Sequence, residues 1–174
     1  MNEGTSQIRD TANDVPSDVP DGLLYSEDHQ WVRVEQRAGL TIARTGLTDY
    51  AQDVLGAVQF VALPPVGAVF NAAEPCGEAE ASKAVTDLYS PVAGSVVAVN
   101  DALLANPGLM NHDPYGEGWL YELQIDPASV SSLPLLGAQP YRAFLDPQSG
   151  DLQSVGPQSV QPPGAAPTAG ASHG

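Results

Sequence analysis

Short strand-like runs, repeatedly interrupted by glycine and proline, are the feature that most limits how this chain can fold. Gln30-Trp-Val-Arg-Val-Glu35 alternates apolar and polar residues, and Trp119 to Ile125 repeats that period of two. The period is typical of strands that bury one face in a core. Frequent short strands separated by turn residues predict an all-β sandwich or barrel. Further strands are predicted at 40–45, 57–62, 68–70, 95–99 and in the runs 75–82 and 84–89.

Short helices are predicted at the edge of this β domain. Thr48-Asp49 has the character of a helix N-cap with an acid in the first turn, 50–55 follows as a short helix, and Gly56 ends it. One helical turn is predicted at 101–106, and a short closing helix at 140–145.

The composition changes at both ends of the chain. Residues 1–21 are polar and acidic, and we expect them to be disordered. Residues 147–174 are rich in Pro, Gly and Ala and are expected to form a disordered tail. The folded domain is therefore predicted at 22–146. The N-terminus has no apolar stretch of a secretory signal, and Cys76 is the only cysteine, so we expect a cytoplasmic protein without an internal disulfide.

Charge and composition argue against several classes of function. The formal net charge is −15, which makes binding to nucleic acid or to anionic membranes unfavourable. No phosphate-binding glycine loop and no Ser-His-Asp arrangement can be recognised. The histidines, His29, His112 and His173, lack the spacing of a zinc site. We therefore predict that the chain is not an enzyme and holds no metal, and that Cys76 is a buried structural thiol.

Lys83 is the only lysine, and it lies between two strand-like runs with no room for a long loop. The tip of a tight hairpin is exposed while its strands are held rigidly, and a lysine there offers an amine that acylation can reach. The acids Glu78, Glu80 and Asp87 flank it and could orient it or be recognised by a modifying enzyme. The alternative interpretation is a solvated surface lysine paired with these acids.

The segment Glu80-Ala-Ser-Lys83-Ala-Val-Thr-Asp-Leu-Tyr-Ser-Pro-Val-Ala-Gly94 resembles the lipoylation hairpin of the glycine cleavage system H protein family. The resemblance extends over about 24–146. Further segments similar to that family occur in the same order: His29-Gln-Trp-Val-Arg-Val34, Gly46-Leu-Thr-Asp-Tyr-Ala-Gln52, Leu55-Gly56, Leu63-Pro64 with Val66-Gly67, and Asn111-His-Asp-Pro-Tyr-Gly-Glu-Gly-Trp119.

The resemblance implies a lipoyl-domain-like barrel-sandwich hybrid with lipoate attached to Lys83 by lipoyl-attaching enzymes. It implies that Glu80 and His29 contact the arm or the modifying enzyme. The implied function is a carrier in glycine catabolism and one-carbon metabolism. Its implied partners are a pyridoxal-phosphate glycine decarboxylase, which loads an aminomethyl group, a tetrahydrofolate-dependent aminomethyltransferase, which unloads it, and dihydrolipoyl dehydrogenase, which reoxidises the arm.

Three alternatives remain at this point. An H-like protein could relay lipoyl groups to other lipoate-dependent enzymes, with the same lysine modified. A lipoyl or biotinyl domain of a larger enzyme typically has Asp-Lys-Ala or Met-Lys-Met at its tip, whereas this chain has Ser82-Lys83-Ala84. An unmodified β adaptor would use the acidic face and the Pro-rich tail. One departure from the family pattern is Gln30, where the family usually has Glu.

Overall fold

The computed structural model describes residues 18–146, in which nine strands form two sheets. The larger sheet has the strand order β1-β2-β3-β9-β8-β5, and the smaller has the order β4-β6-β7. All strand pairs are antiparallel. The strands are β1 (Leu24–Tyr25), β2 (Gln30–Arg37), β3 (Leu40–Leu47), β4 (Val58–Ala62), β5 (Val69–Phe70), β6 (Pro75–Ala81), β7 (Val85–Tyr89), β8 (Gly94–Val99) and β9 (Tyr121–Ile125).

The main core lies between the two sheets, because strands of both sheets contribute buried apolar side chains to one cluster. Val32 and Leu123 belong to the larger sheet, Val61 and Leu88 to the smaller, and all four are at most 2% exposed. Burying one such side chain stabilises the fold by about 1.5–3 kcal/mol. This arrangement is the sandwich of short strands that the periodicity predicts.

The strand predicted at 119–125 is shorter than expected and does not alternate in burial. It begins at Tyr121, and Tyr121, Glu122 and Leu123 are all buried. Glu122 is buried because Arg44 of the adjacent β3 and Arg37 of β2, one strand further away, bind its carboxylate.

Four short helices accompany the sheets: α1 (Asp49–Leu55), α2 (Ala102–Ala105), α3 (Leu109–His112) and α4 (Ala138–Leu145). Thr48 caps α1 by accepting a hydrogen bond from the Ala51 N–H, and Gly56 ends it with a φ of 81°, as predicted. Helix α4 begins before the predicted residue 140, since proline is tolerated in a first turn. Helix α3 and a 3₁₀ segment, Pro127–Ser132, were not predicted. No helix within 18–146 is both long and apolar enough to cross a membrane.

A second apolar cluster joins helix α4 to the start of the domain. Tyr25, Trp31 and Tyr141 are fully buried in it. Val19 is only 4% exposed, and Arg142 donates a hydrogen bond to its carbonyl. Val19, just before the predicted start of the domain at residue 22, therefore packs on the domain. The remaining predictions of disorder, for 1–17 and 147–174, lie outside the described residues.

Candidate functional site

Lys83 lies at the tip of the hairpin formed by β6 and β7. The strands pair with Glu80 opposite Val85, and the Ala81 N–H donates to the Ala84 carbonyl at 2.8 Å. Only Ser82 and Lys83 lie between those two residues, and both are exposed. Behind the tip, Ala81 is buried in the core. The hairpin therefore presents Lys83 on a base that is fixed by strand pairing and packing.

The structure places no partner on the Lys83 ammonium within residues 18–146, neither a hydrogen bond nor an ion pair. Glu78 and Glu80 lie on the exposed face of β6, where Glu78 pairs with Asp87 of β7. These acids surround the tip without holding the lysine. The alternative of a surface lysine fixed by neighbouring acids has no support in this part of the chain.

A cleft of about 280 Å³ adjoins the hairpin. It lies between β7, helix α1 and the turn before β2, three elements that are far apart in sequence. Most of its wall is apolar, and two carboxylates lie in its lining. The lining residues are Asp28, His29, Gln30, Leu47, Tyr50, Ala51, Val54, Leu55, Ala84, Val85, Thr86 and Asp87.

His29, one of the predicted site residues, lies in this cleft in a left-handed backbone conformation with a φ of 60°. Its Nδ1 is 2.8 Å from the Tyr141 hydroxyl, and its ring packs against Tyr50 and Phe144. Burial lowers the pKa of His29 below 6.5, although the charge of Asp28 opposes the shift. The imidazole is therefore neutral near pH 7.

Glu80, the other predicted contact, is not part of the cleft lining. Its side chain is on the exposed face of the small sheet, in register with Phe60 and Val85. The structure thus brings His29 and the hairpin strand β7 to one cleft, and it places Glu80 on the hairpin near the lysine but outside that cleft.

The predictions for Cys76 and for a metal site can also be compared with the structure. Cys76 is half-buried, and its thiol donates to the Leu88 carbonyl at 3.3 Å and lies 3.2 Å from the Tyr121 hydroxyl. Burial raises the pKa of this thiol, which makes it a poor nucleophile. Within the described range 18–146, no group of three or more His, Cys, Asp or Glu side chains could hold a metal ion.

The sequence analysis did not identify the cleft residues of helix α1, nor Tyr141 of helix α4, which is outside the lining and contacts His29. Tyr50 and Val54 are four residues apart on α1, which places them on one helix face. That spacing was the sequence feature from which a shared surface could have been predicted. Tyr141 had no local signal, since it lies 112 residues from the histidine that it contacts.

An all-β sandwich that presents one exposed lysine on a hairpin beside an apolar cleft is a carrier-type domain. The family model described as Glycine cleavage H-protein matches residues 23–148. The chain therefore belongs to the glycine cleavage H-protein family.

Individual relatives agree with this assignment. A glycine cleavage system H protein of Mycolicibacterium gilvum is 52% identical over 131 residues, which cover 74% of this chain and 98% of that protein. One from Mycobacterium bovis is 46% identical over 134 residues, with the same coverage of both chains. The crystal structure of a glycine cleavage system H protein from Mycobacterium marinum matches with a TM-score of 0.63 at 36% identity, covering 72% of this chain and 98% of that one.

Family membership confirms several predictions. The all-β class with short peripheral helices is confirmed by the observed sheets and by the likeness to the solved structure. The family consists of lipoate-carrying proteins without catalytic activity of their own, so the prediction that this chain is not an enzyme is also confirmed. Family membership also supports a lipoyl carrier role in the glycine cleavage system.

Proposed function

We propose that this chain is a lipoyl shuttle that carries an aminomethyl group between the enzymes of glycine cleavage, with lipoate attached to Lys83. The observation that carries the proposal is an exposed lysine, unpaired within residues 18–146, at the tip of a rigid hairpin beside a cleft with apolar walls. The Nζ of Lys83 forms an amide with the lipoyl carboxyl group, which removes the lysine charge.

The residues around Lys83 fit this group. The tip is open to a lipoyl-attaching enzyme, and Glu80 lies on the exposed face of the same strand, where that enzyme can contact it. When bound, lipoate would supply a disulfide whose S–S bond breaks as one sulfur takes the aminomethyl group and the other becomes a thiol. Val54 and Val85, which are 69% and 58% exposed, offer apolar contacts to a long acyl arm folded back into the cleft.

The polar cleft residues suit the end of the arm. Asp28 and Asp87 place carboxylates in the lining, and a carboxylate attracts the ammonium form of an aminomethyl group. The neutral imidazole of His29 does not repel that cation. The cleft therefore holds the loaded arm, limits the access of water and releases the arm to the next enzyme.

The proposed partners follow from this cycle. A pyridoxal-phosphate glycine decarboxylase loads the arm, a tetrahydrofolate-dependent aminomethyltransferase unloads it, and dihydrolipoyl dehydrogenase reoxidises it. The net charge of −15 favours electrostatic approach to basic docking surfaces on these enzymes. We place the cycle in the cytoplasm, and we propose no nucleic-acid or membrane partner.

The test is aminomethyl loading of the lipoylated protein by a glycine decarboxylase, followed by mass spectrometry. We expect one aminomethyl group per wild-type chain and none on Lys83→Arg. Full lipoylation without loading, combined with lipoyl transfer to a 2-oxo acid dehydrogenase subunit, would instead establish a lipoyl relay and overturn the shuttle.

A matched pair of variants tests the cleft. Val54→Ser removes an apolar contact from the lining, whereas Leu104→Ser changes a similarly exposed side chain on α2 outside it. We expect the loaded group to be lost roughly fivefold faster from Val54→Ser, the effect of about 1 kcal/mol of apolar contact, and at the wild-type rate from Leu104→Ser. Equal rates in both variants would contradict a protective cleft.

A further inference from the structure

A chain of hydrogen bonds runs from the first turn of helix α1, through helix α4, to the cleft. The Ala51 N–H donates to Thr48 Oγ1 at 3.2 Å. Thr48 Oγ1 lies 3.0 Å from the Tyr141 hydroxyl, which lies 2.8 Å from Nδ1 of His29. Thr48 and Tyr141 are both 0% exposed, so no solvent can satisfy their hydroxyl groups.

The direction of the bonds follows from counting donors and acceptors. If Tyr141 donated to Thr48, the buried Thr48 hydroxyl hydrogen would have no acceptor within residues 18–146, because its oxygen has only the two contacts above. A buried, unsatisfied donor is costly. If Thr48 donates to Tyr141 and Tyr141 donates to Nδ1 of His29, every group is satisfied. Nδ1 is then an acceptor, and the imidazole proton resides on Nε2.

The other nitrogen of His29 is available to a ligand. Nε2 has no hydrogen-bond partner within residues 18–146. No buried side-chain nitrogen or oxygen of this region lacks a partner, so Nε2 is accessible. Because His29 lines the cleft beside the hairpin, that accessible atom belongs to a side chain of the site itself.

We propose that Thr48 and Tyr141 are positioning residues that fix His29 as its Nε2–H tautomer, so that the imidazole offers one N–H donor to an acceptor atom of the arm. The proposal rests on the proposed carrier function for the identity of that arm. The assignment of the tautomer does not depend on it, since Thr48, Tyr141 and His29 are in contact in the unmodified chain. The lowered pKa of His29 agrees with a neutral ring.

The tautomer is tested on unmodified, ¹⁵N-labelled full-length protein by long-range ¹H–¹⁵N correlation of the histidine rings near pH 7.5. We expect the Nδ1 of His29 to have the shift of an unprotonated nitrogen and Nε2 that of a protonated one. The opposite assignment in the wild-type protein, or two averaged shifts, would overturn the proposal without any variant.

Variants then test the two positioning residues. Tyr141→Phe removes the donor to Nδ1, and we expect the two ¹⁵N shifts of His29 to move toward each other. Thr48→Ser keeps a hydroxyl and is the matched control, expected to retain the wild-type shifts. Circular dichroism establishes that both variants fold. Wild-type tautomer shifts in a folded Tyr141→Phe would show that Tyr141 does not set the tautomer.

The consequence for the arm is measured separately, on lipoylated and loaded protein. We expect Tyr141→Phe to lose the aminomethyl group roughly fivefold faster than wild type, the size expected for one neutral hydrogen bond, with Thr48→Ser unchanged. An unchanged rate, despite an altered tautomer, would refute the contact between His29 and the arm. Failure of loading itself would bear on the proposed function and leave the tautomer result standing.

Discussion

Gln30 connects the two sheets through one buried side chain. It is 1% exposed, and its amide Nε2 donates to the Tyr89 carbonyl at the end of β7 at 2.7 Å. Its Oε1 accepts from the Thr45 hydroxyl of β3 at 3.2 Å. One end must donate and the other must accept, which an amide does and an ionised carboxylate cannot. This pairing gives a physical reason for glutamine at position 30.

Gln30→Glu is therefore expected to destabilise the fold by about 1–3 kcal/mol at pH 7, because one buried carboxylate oxygen would face the Tyr89 carbonyl without a donor. The loss of stability should become smaller below about pH 5, where the protonated acid can donate to the Tyr89 carbonyl. Denaturant unfolding at the two pH values measures both effects.

The control is Gln36→Glu, because the Gln36 side chain is exposed while its amide donates to the Thr41 hydroxyl at 2.8 Å. We expect its free energy of unfolding to stay within about 0.5 kcal/mol of wild type. Equal stabilities of Gln30→Glu and wild type at pH 7 would show that the link between the sheets through Gln30 contributes nothing.

At the scale of elements, ion pairs between Glu122 of β9 and two arginines connect β9 to β2 and β3. Arg37 of β2 binds both carboxylate oxygens, at 2.9 and 3.1 Å. Arg44 of β3 donates to Oε1 at 2.7 and 2.8 Å, and its guanidinium lies over the Trp119 ring. Burial opposes the ionisation of Glu122, but the hydrogen bonds and charges of the two arginines outweigh it and hold its pKa below 4.5.

The sign of this shift predicts an acid-sensitive contribution to stability. Since the folded pKa of Glu122 is below its ordinary value of 4.5, the contribution is complete above that pH and is lost as the pH falls through the folded pKa. We expect Glu122→Gln to lower the free energy of unfolding by about 1.5–3 kcal/mol at pH 7. The difference in that free energy between the variant and wild type should become smaller below pH 4.5.

Glu35→Gln is the matched comparison, because within residues 18–146 Glu35 binds only Arg37 and its side chain is 40% exposed. Its effect should be small at every pH. Thermal unfolding from pH 3 to pH 7 compares the three proteins. A difference in stability between Glu122→Gln and wild type that stays constant across that range would contradict a stabilising role of the ionised Glu122 carboxylate.

The elements differ in how far they could be predicted. Strand β2 was predicted from its period of two and β3 from the run that follows Gly39, both with the correct first residue. Helix α1 was predicted from its cap and its terminal glycine. Strand β1 has two residues and α3 has four, too few to show a period. Tertiary contacts define β1, which pairs with β2 and bridges to Leu136 from Tyr25.

Across the whole molecule, the exposed position of Lys83 on a hairpin could be predicted and the cleft could not. The hairpin is local, so the residues around Lys83 carried the prediction of its exposure. The cleft is assembled from the turn before β2, from α1 and from β7, and its donor chain continues to Tyr141 on α4. Contacts over such separations depend on how the two sheets pack, which strand periodicity does not specify.

The attachment of lipoate to Lys83 can be tested by a direct measurement. Lys83 is the only lysine of the chain, so an enzyme that acylates lysine side chains has one possible target. Arginine at the same position keeps the charge and cannot form the lipoyl amide.

The decisive measurement is the intact mass of the protein made in cells that lipoylate, beside Lys83→Arg made in the same way. A lipoyl carrier is expected to gain the mass of one lipoyl amide in the wild-type chain and none in the variant. An unmodified wild-type chain, in cells whose lipoyl-attaching enzyme modifies a control substrate, would contradict the account, as would an equal mass gain in both proteins.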